Sequence, residues 1–198
     1  RLEPPASRHL LNWPVDEVLG TGVDLLILGL GYGDVYFHQS QFGRVVGQGQ
    51  EVWNSFIDWR IMRMVEVARE LGTDQLRAVI ERGRETGMQV FPSLKLQDSA
   101  RPGSDRSGRL KQERGAEVCI GDDGRAEWCY DFANEAVQTD KLAMVGEVLG
   151  DYRADGLELD FCFDAFYFKK LEIERNIPMM NDFVASVRHL AEQIGVRQ

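Results

Sequence analysis

Apolar residues along this chain keep two rhythms. From Val23 to Leu30 the run Val-Asp-Leu-Leu-Ile-Leu-Gly-Leu is almost continuous, the pattern of a strand covered on both faces in a parallel sheet. Over 57–70 and 73–84 the spacing becomes helical, through Ile61, Met64, Val65 and Ala68 and then Leu76, Val79 and Ile80. Thr73 suits the N-cap of the second helix and Gly87 its stop. Met88 to Gln97 returns to strand, with Pro92 better placed near its end than its middle. A third strand is predicted at Glu127-Trp-Cys-Tyr-Asp-Phe132. Asn134 then caps a helix to about Leu149, with Val137, Met144, Val145 and Val148 inward. A turn at Asp155-Gly156 leads into the fourth strand, Leu157 to Cys162. An aromatic loop, 163–175, and a last helix from about Pro178 close the series.

Strand and helix thus alternate four times, which gives a parallel sheet with helices outside. The expected architecture is an α/β, parallel (β/α) barrel of TIM type, incomplete, with about four βα units. Residues 1–22 form a lead-in broken by Pro4-Pro5 and Trp13-Pro14, and 23–198 the amino-terminal half of the barrel domain. A whole barrel takes about 250 residues, so the expected partner is the remaining half of the barrel, in the same or another chain. An open doubly wound sheet is the structural alternative. The segments 39–52 and 98–125 read as loops, the second rich in arginine and suited to a solvated lid.

Among 198 residues the formal net charge is -9, which argues against nucleic-acid and anionic-membrane partners, since both need a positive surface. No apolar run is long enough to cross a bilayer. Three irregularly spaced cysteines, Cys119, Cys129 and Cys162, make no disulfide framework. Gly29-Leu-Gly31-Tyr-Gly33 lacks the helix that a dinucleotide loop must open into. Its glycines instead let the chain turn off the strand end and bring Tyr36 and His38 to the rim.

The chemistry gathers on the fourth strand. Strand side chains alternate, so Glu158 and Asp160 project from one face. Paired carboxylates in a buried strand are costly unless that face meets water, a metal, a partner or a substrate. Residues at or beyond the carboxyl ends of the other strands join them: Tyr36 and His38, Lys95, Gln97 and Asp98, Tyr130 and Asp131, then Asp164, Phe166 and Tyr167. Carboxylates suit proton transfer and oxocarbenium stabilisation, and aromatic faces suit sugar rings. No G-x-S-x-G elbow supports serine hydrolysis. No cofactor is called for; carboxylates alone would favour a divalent Mg²⁺ or Ca²⁺. Pairing of Glu158 and Asp160 with Lys95 or an arginine would instead make them a structural network.

Tyr130-Asp-Phe-Ala-Asn-Glu-Ala-Val137 followed by Tyr152-Arg-Ala-Asp-Gly-Leu-Glu-Leu-Asp160 resembles the third and fourth units of glycoside-hydrolase-like barrels. The likeness is to the bacterial glycosyl hydrolase-like 10 type and its uncharacterised relatives. Phe91-Pro-Ser-Leu-Lys-Leu-Gln-Asp98 is similar to their second strand, and Phe166-Tyr-Phe-Lys169 to the tail after the fourth. It spans about 20–195, half of such a domain. The resemblance implies a glycoside hydrolase acting on a poly- or oligosaccharide. Asp160 would be the nucleophile or general acid/base, with Glu158 as a like-charged neighbour. Lys95, Asp131 and His38 would bind hydroxyls, while Tyr36, Phe166 and Tyr167 stack on sugar. Chitinase-type barrels carry Asp-x-x-Asp-x-Asp-x-Glu here; Asp155, Glu158 and Asp160 match in type, but Cys162 stands where the acid belongs. Amylase-type barrels place a nucleophilic Asp where Asp160 falls, with Arg where this chain has Glu158. A non-catalytic carbohydrate-binding or scaffold barrel, and a metal-assisted hydrolase, are the alternatives.

Overall fold

A computed structural model describes residues 7–53, 55–122 and 124–195; Pro4-Pro5 of the lead-in lie outside them. Two single-turn helices, α1 (Arg8–Leu11) and α2 (Trp13–Asp16), begin the chain. Strand β1 (Leu25–Gly29) is followed by three two-residue strands, β2 (Gly31–Tyr32), β3 (Val35–Tyr36) and β4 (Arg44–Val45). These three form a small sheet of their own. Helix α3 (Phe56–Glu70) is capped by Ser55, whose hydroxyl accepts from the Asp58 N–H. Helix α4 (Gln75–Thr86) is capped by Asp74 in place of the expected Thr73, and ends at Gly87 in the left-handed conformation, φ 77°. That φ is open to glycine at no steric cost.

Strand β5 (Gln89–Lys95) and helices α5 (Arg109–Arg114) and α6 (Glu135–Gly146) come next. Asn134 caps α6 as its sequence predicts, its side chain accepting from the Ala136 N–H. The helix then widens into a π-helical turn, Glu147–Asp151. Strand β6 (Glu158–Asp160) and helix α7 (Ile173–Ile194) complete the chain. Helix α7 starts five residues before Pro178, which sits inside it rather than at its start.

The main sheet runs β1–β5–β6, all parallel, with β5 central and longest. Leu26, Leu28, Val90, Leu94 and Leu159 point to one side, where a single large cluster joins them to Leu76, Val79 and Ile80 of α4, Met144 and Val145 of α6, and Phe183 and Val187 of α7. The opposite side has no such cover. There Leu25 and Ile27 are exposed, Ile27 by 52%, so β1 is sheltered on one face only, not on both as its apolar run suggests.

The predicted third strand is not one, and the βα count falls from four to three. Tyr130 makes an isolated antiparallel bridge to Cys119. Its own peptide groups are taken by a side chain: Gln97 Oε1 accepts from the Tyr130 N–H at 2.8 Å and Gln97 Nε2 donates to the Tyr130 carbonyl at 2.8 Å. One amide side chain thereby does the work of a neighbouring strand. The second and fourth predicted strands are direct neighbours instead, with Ser93 opposite Glu158 and Lys95 opposite Asp160.

Candidate functional site

Register decides which side the acids face. In a parallel pair, residues opposite one another share a face. Gly29, Ser93 and Glu158 therefore stand in one row, Lys95 and Asp160 in the next, and Ile27 and Phe91 in the row before. This is the side turned away from the helices. Glu158 and Asp160 are half-buried there, and neither forms an ion pair among the described residues.

Asp160 is aimed by its own loop. Its Oδ1 accepts from the backbone N–H groups of Cys162, at 2.8 Å, and Phe163, at 3.2 Å. Both bonds fall on one oxygen, which orients the carboxylate at the carboxyl end of β6. Lys95 does not reach it as a salt bridge; its ammonium lies 4.2 Å over the Phe163 ring. Four residues on, Asp164 holds a positive φ of 49°, uncommon for a residue with a side chain. Its carboxylate accepts from Ser99 Oγ at 2.5 Å and meets Arg125 at 3.2 Å, tying the loop after β6 to the loop after β5.

At the start of β6 two contacts fix its height. Asp155 Oδ2 accepts from the Val90 N–H at 3.0 Å, replacing a ladder bond with a side chain. Gly156 lies under the Phe91 ring, where an added Cβ would come within 2.3 Å of ring carbon. Phe91 and Ser93 were not singled out by sequence, because membership of the open face depends on register.

The remaining expected site residues are distributed elsewhere. Tyr36 and His38 are not on a rim. Both are buried in the main core, their rings stacked at 4.9 Å, and Tyr36 Oη points at Met144 Sδ. Burial pushes the His38 imidazole down to about 4, against the opposing pull of the Asp74 charge. Asp98 is buried with Lys111, 3.7 Å away; burial raises the carboxyl, and Lys111 acts the other way. Tyr130 is fully buried, with the ammonium groups of Lys111 and Lys141 at 4.3 and 4.9 Å from its ring centroid. Asp131 accepts from the Ala133 N–H and faces Lys169 at 3.9 Å; burial raises its carboxyl. Phe166 is exposed, whereas Tyr167 is half-buried with its hydroxyl donating to the Phe161 carbonyl.

Sequence reading missed the buried ionic centre altogether. Asp34 and Lys141 form a fully buried salt bridge, and Lys111, placed in the expected lid, is buried on α5. Asp140 beside them is pushed up to about 6 by burial and by Asp34, opposed by Lys141 and Arg109. Lys111 follows Leu110 among polar residues and Lys141 lies between Asp140 and Leu142, patterns of an ordinary solvated helix face, so no local signal marks them. Among the described residues no three His, Cys, Asp or Glu side chains are grouped to hold a metal ion, and no helix is long and apolar enough to cross a membrane.

No protein-family model and no curated protein matches the chain. Solved structures do. A noncanonic maltogenic α-amylase from Thermotoga neapolitana superposes with a TM-score of 0.56 at 12% identity, over 98% of this chain and 40% of that one. An α-L-fucosidase isoenzyme from Paenibacillus thiaminolyticus gives 0.57 at 12% identity, over 96% of this chain and 28% of that one. The chain thus spans well under half the length of either. At this identity the likeness is one of fold, an α/β arrangement with a distant resemblance to glycoside hydrolases.

Proposed function

We propose that the open face of the sheet, at the carboxyl end of β6, is one wall of a carbohydrate-cleaving site. One observation carries the reading. Glu158 and Asp160 stand together on the uncovered side, free of basic partners among the described residues, with Asp160 oriented by two backbone N–H groups. A carboxylate held in this way loses little freedom on meeting substrate. Asp160 supplies the reacting carboxylate, as nucleophile at the anomeric carbon or as general acid/base toward the glycosidic oxygen and the attacking water, and Glu158 raises the local negative potential where positive charge builds up on the ring. Lys95 binds sugar hydroxyls beside them, and the exposed Phe166 offers a ring face. The distant likeness to an amylase and a fucosidase supports this class over others, and the other wall of the site belongs to further α/β units outside this sheet.

The decisive experiment is a screen on a glycan array, followed by reducing-end release from any sugar that binds. Asp160→Asn should cut turnover by about a thousandfold or more with an unchanged melting temperature, and equal turnover would remove Asp160 from the chemistry. Retained saccharide affinity with no product from the native protein would favour the non-catalytic binding reading. Activity lost to a chelator and restored by Mg²⁺ or Ca²⁺ would favour the metal-assisted one.

A further inference from the structure

Two small apolar clusters lie apart from the main core. Leu11, Ala68 and Ala78 make one; Val35, Val46 and Val65, with Phe37, Val45 and Ile61 against them, make the other. What keeps them from merging is a cavity of about 410 Å³ beneath α3 and beside α1 and α2. Its volume is in the range of small-molecule sites.

The walls specify the chemistry of the occupant. Leu11, Trp13, Phe37, Ile61, Met64 and Ala68 contribute apolar and aromatic surface. Trp13 Nε1 already donates to Glu17 at 2.8 Å, so its indole is held with its polar edge satisfied. In a chain of net charge -9, no charged side chain among the described residues lines the space. Among the described lining residues Gln75 alone carries an amide side chain, and that amide has no hydrogen-bond partner among the described residues. A second observation points the same way. Gln75 and Phe37 also border a void of about 10 Å³, room for one water, and His38 borders it too. His38 is buried with its Nε2 unpartnered. Gln75 thus links the apolar cavity to a small void that the unpartnered His38 Nε2 borders.

We infer that this cavity binds a neutral, mainly apolar small molecule, aromatic or alicyclic, carrying one hydroxyl or carbonyl that hydrogen-bonds to Gln75. A hydroxyl matches an amide as both donor and acceptor. An anion finds no counter-charge in the walls and pays its desolvation unaided. The site is separate from the acid-bearing face, and the inference does not depend on the sugar-cleaving reading.

The test uses 2-naphthol, naphthalene and naphthalene-2-sulfonate with the full chain at neutral pH. Saturable one-to-one binding of 2-naphthol is expected, with the sulfonate weaker by roughly tenfold or more. Gln75→Leu should weaken 2-naphthol by about tenfold while leaving naphthalene unchanged, a difference that a merely structural role would not produce. Ile61→Trp, which fills the space from a partly exposed position, should abolish both. Non-saturable binding, or equal affinity for the sulfonate, overturns the inference on the native protein alone, whatever the variants do. So does 2-naphthol binding that appears only after residues 1–6 are deleted, or that changes with dimerisation; the occupant would then be the chain itself or a second copy.

Discussion

Lys95 and Asp160 are direct neighbours across the β5–β6 pair, yet the lysine ammonium rests 4.2 Å over the Phe163 ring and makes no salt bridge with the aspartate. The aromatic face offers the cation an alternative partner, and the carboxylate keeps its charge exposed for chemistry.

Phe163→Ala should therefore release Lys95 onto Asp160. Turnover of a glycoside found by the array screen should drop by about tenfold, the size expected for losing one cation–π contact. Phe163→Tyr keeps a ring and should stay close to native. Comparing kcat for the two variants checks this, and equal loss in both would rule out the ring as the lysine's holder.

The Asp34–Lys141 pair is fully buried, so removing one member strands the other. Lys141→Met should cost about 3–5 kcal/mol, read from urea unfolding. Combining it with Asp34→Leu should recover a substantial part of that loss, because both charges are then gone. A double variant that is less stable than either single one would contradict a simple pair.

Asp140 and His38 pull stability in opposite directions across acid pH. Asp140 titrates near 6 in the folded chain and near 3.9 unfolded, so between about pH 4 and 6 the native state holds the extra proton and stability falls as pH rises. Asp140→Asn should gain on the native chain by up to about 3 kcal/mol between pH 4 and 7. A stability difference that does not change with pH would remove Asp140 from this role.

His38 titrates near 4 folded and near 6.5 unfolded, so the unfolded chain binds the extra proton between those values. Stability falls as pH drops through that window, again by about 3 kcal/mol. His38→Phe should flatten this acid limb, whatever its effect at neutral pH. Unfolding measured at half-unit steps from pH 4 to 7 separates the slope from the offset.

Gly156 is required by contact rather than by backbone angle. A methyl there would overlap the Phe91 ring, so Gly156→Ala should cost about 1–3 kcal/mol, the usual range for overpacking. Gly156→Ala with Phe91→Leu should recover most of it. Melting curves of the three variants check the pair.

Much of the fold was legible because apolar spacing reports burial directly: α3, α4, α6 and the strands carrying Leu25–Gly29, Gln89–Lys95 and Glu158–Asp160 all follow from it. The third strand failed because Trp128-Cys-Tyr130 has strand-like residues, while Gln97 satisfies the peptide groups that a neighbouring strand would have taken. Period-two alternation did put Glu158 and Asp160 on one face. It could not show which strand stands beside them, and so could not place Phe91 or Ser93 in the same patch. Tyr36 and His38 were misplaced for a related reason. The turn at Gly33, with φ 56°, sends the chain back toward α6 and the interior, a direction that glycine content alone does not encode.

The central position of β5 has a consequence for how the molecule breathes. The strand pairs with β1 along Gln89–Ser93 and with β6 along Ser93–Lys95, so the two ladders overlap at Ser93, while among the described residues each outer strand has one unpaired edge. Deuterium should enter the β6 and β1 amides early, through local fraying, and the backbone around Ser93 only when the chain opens as a whole. Backbone loosening then begins at the strand carrying Glu158 and Asp160, and Ser93, tied into both neighbouring strands, is the last part to yield.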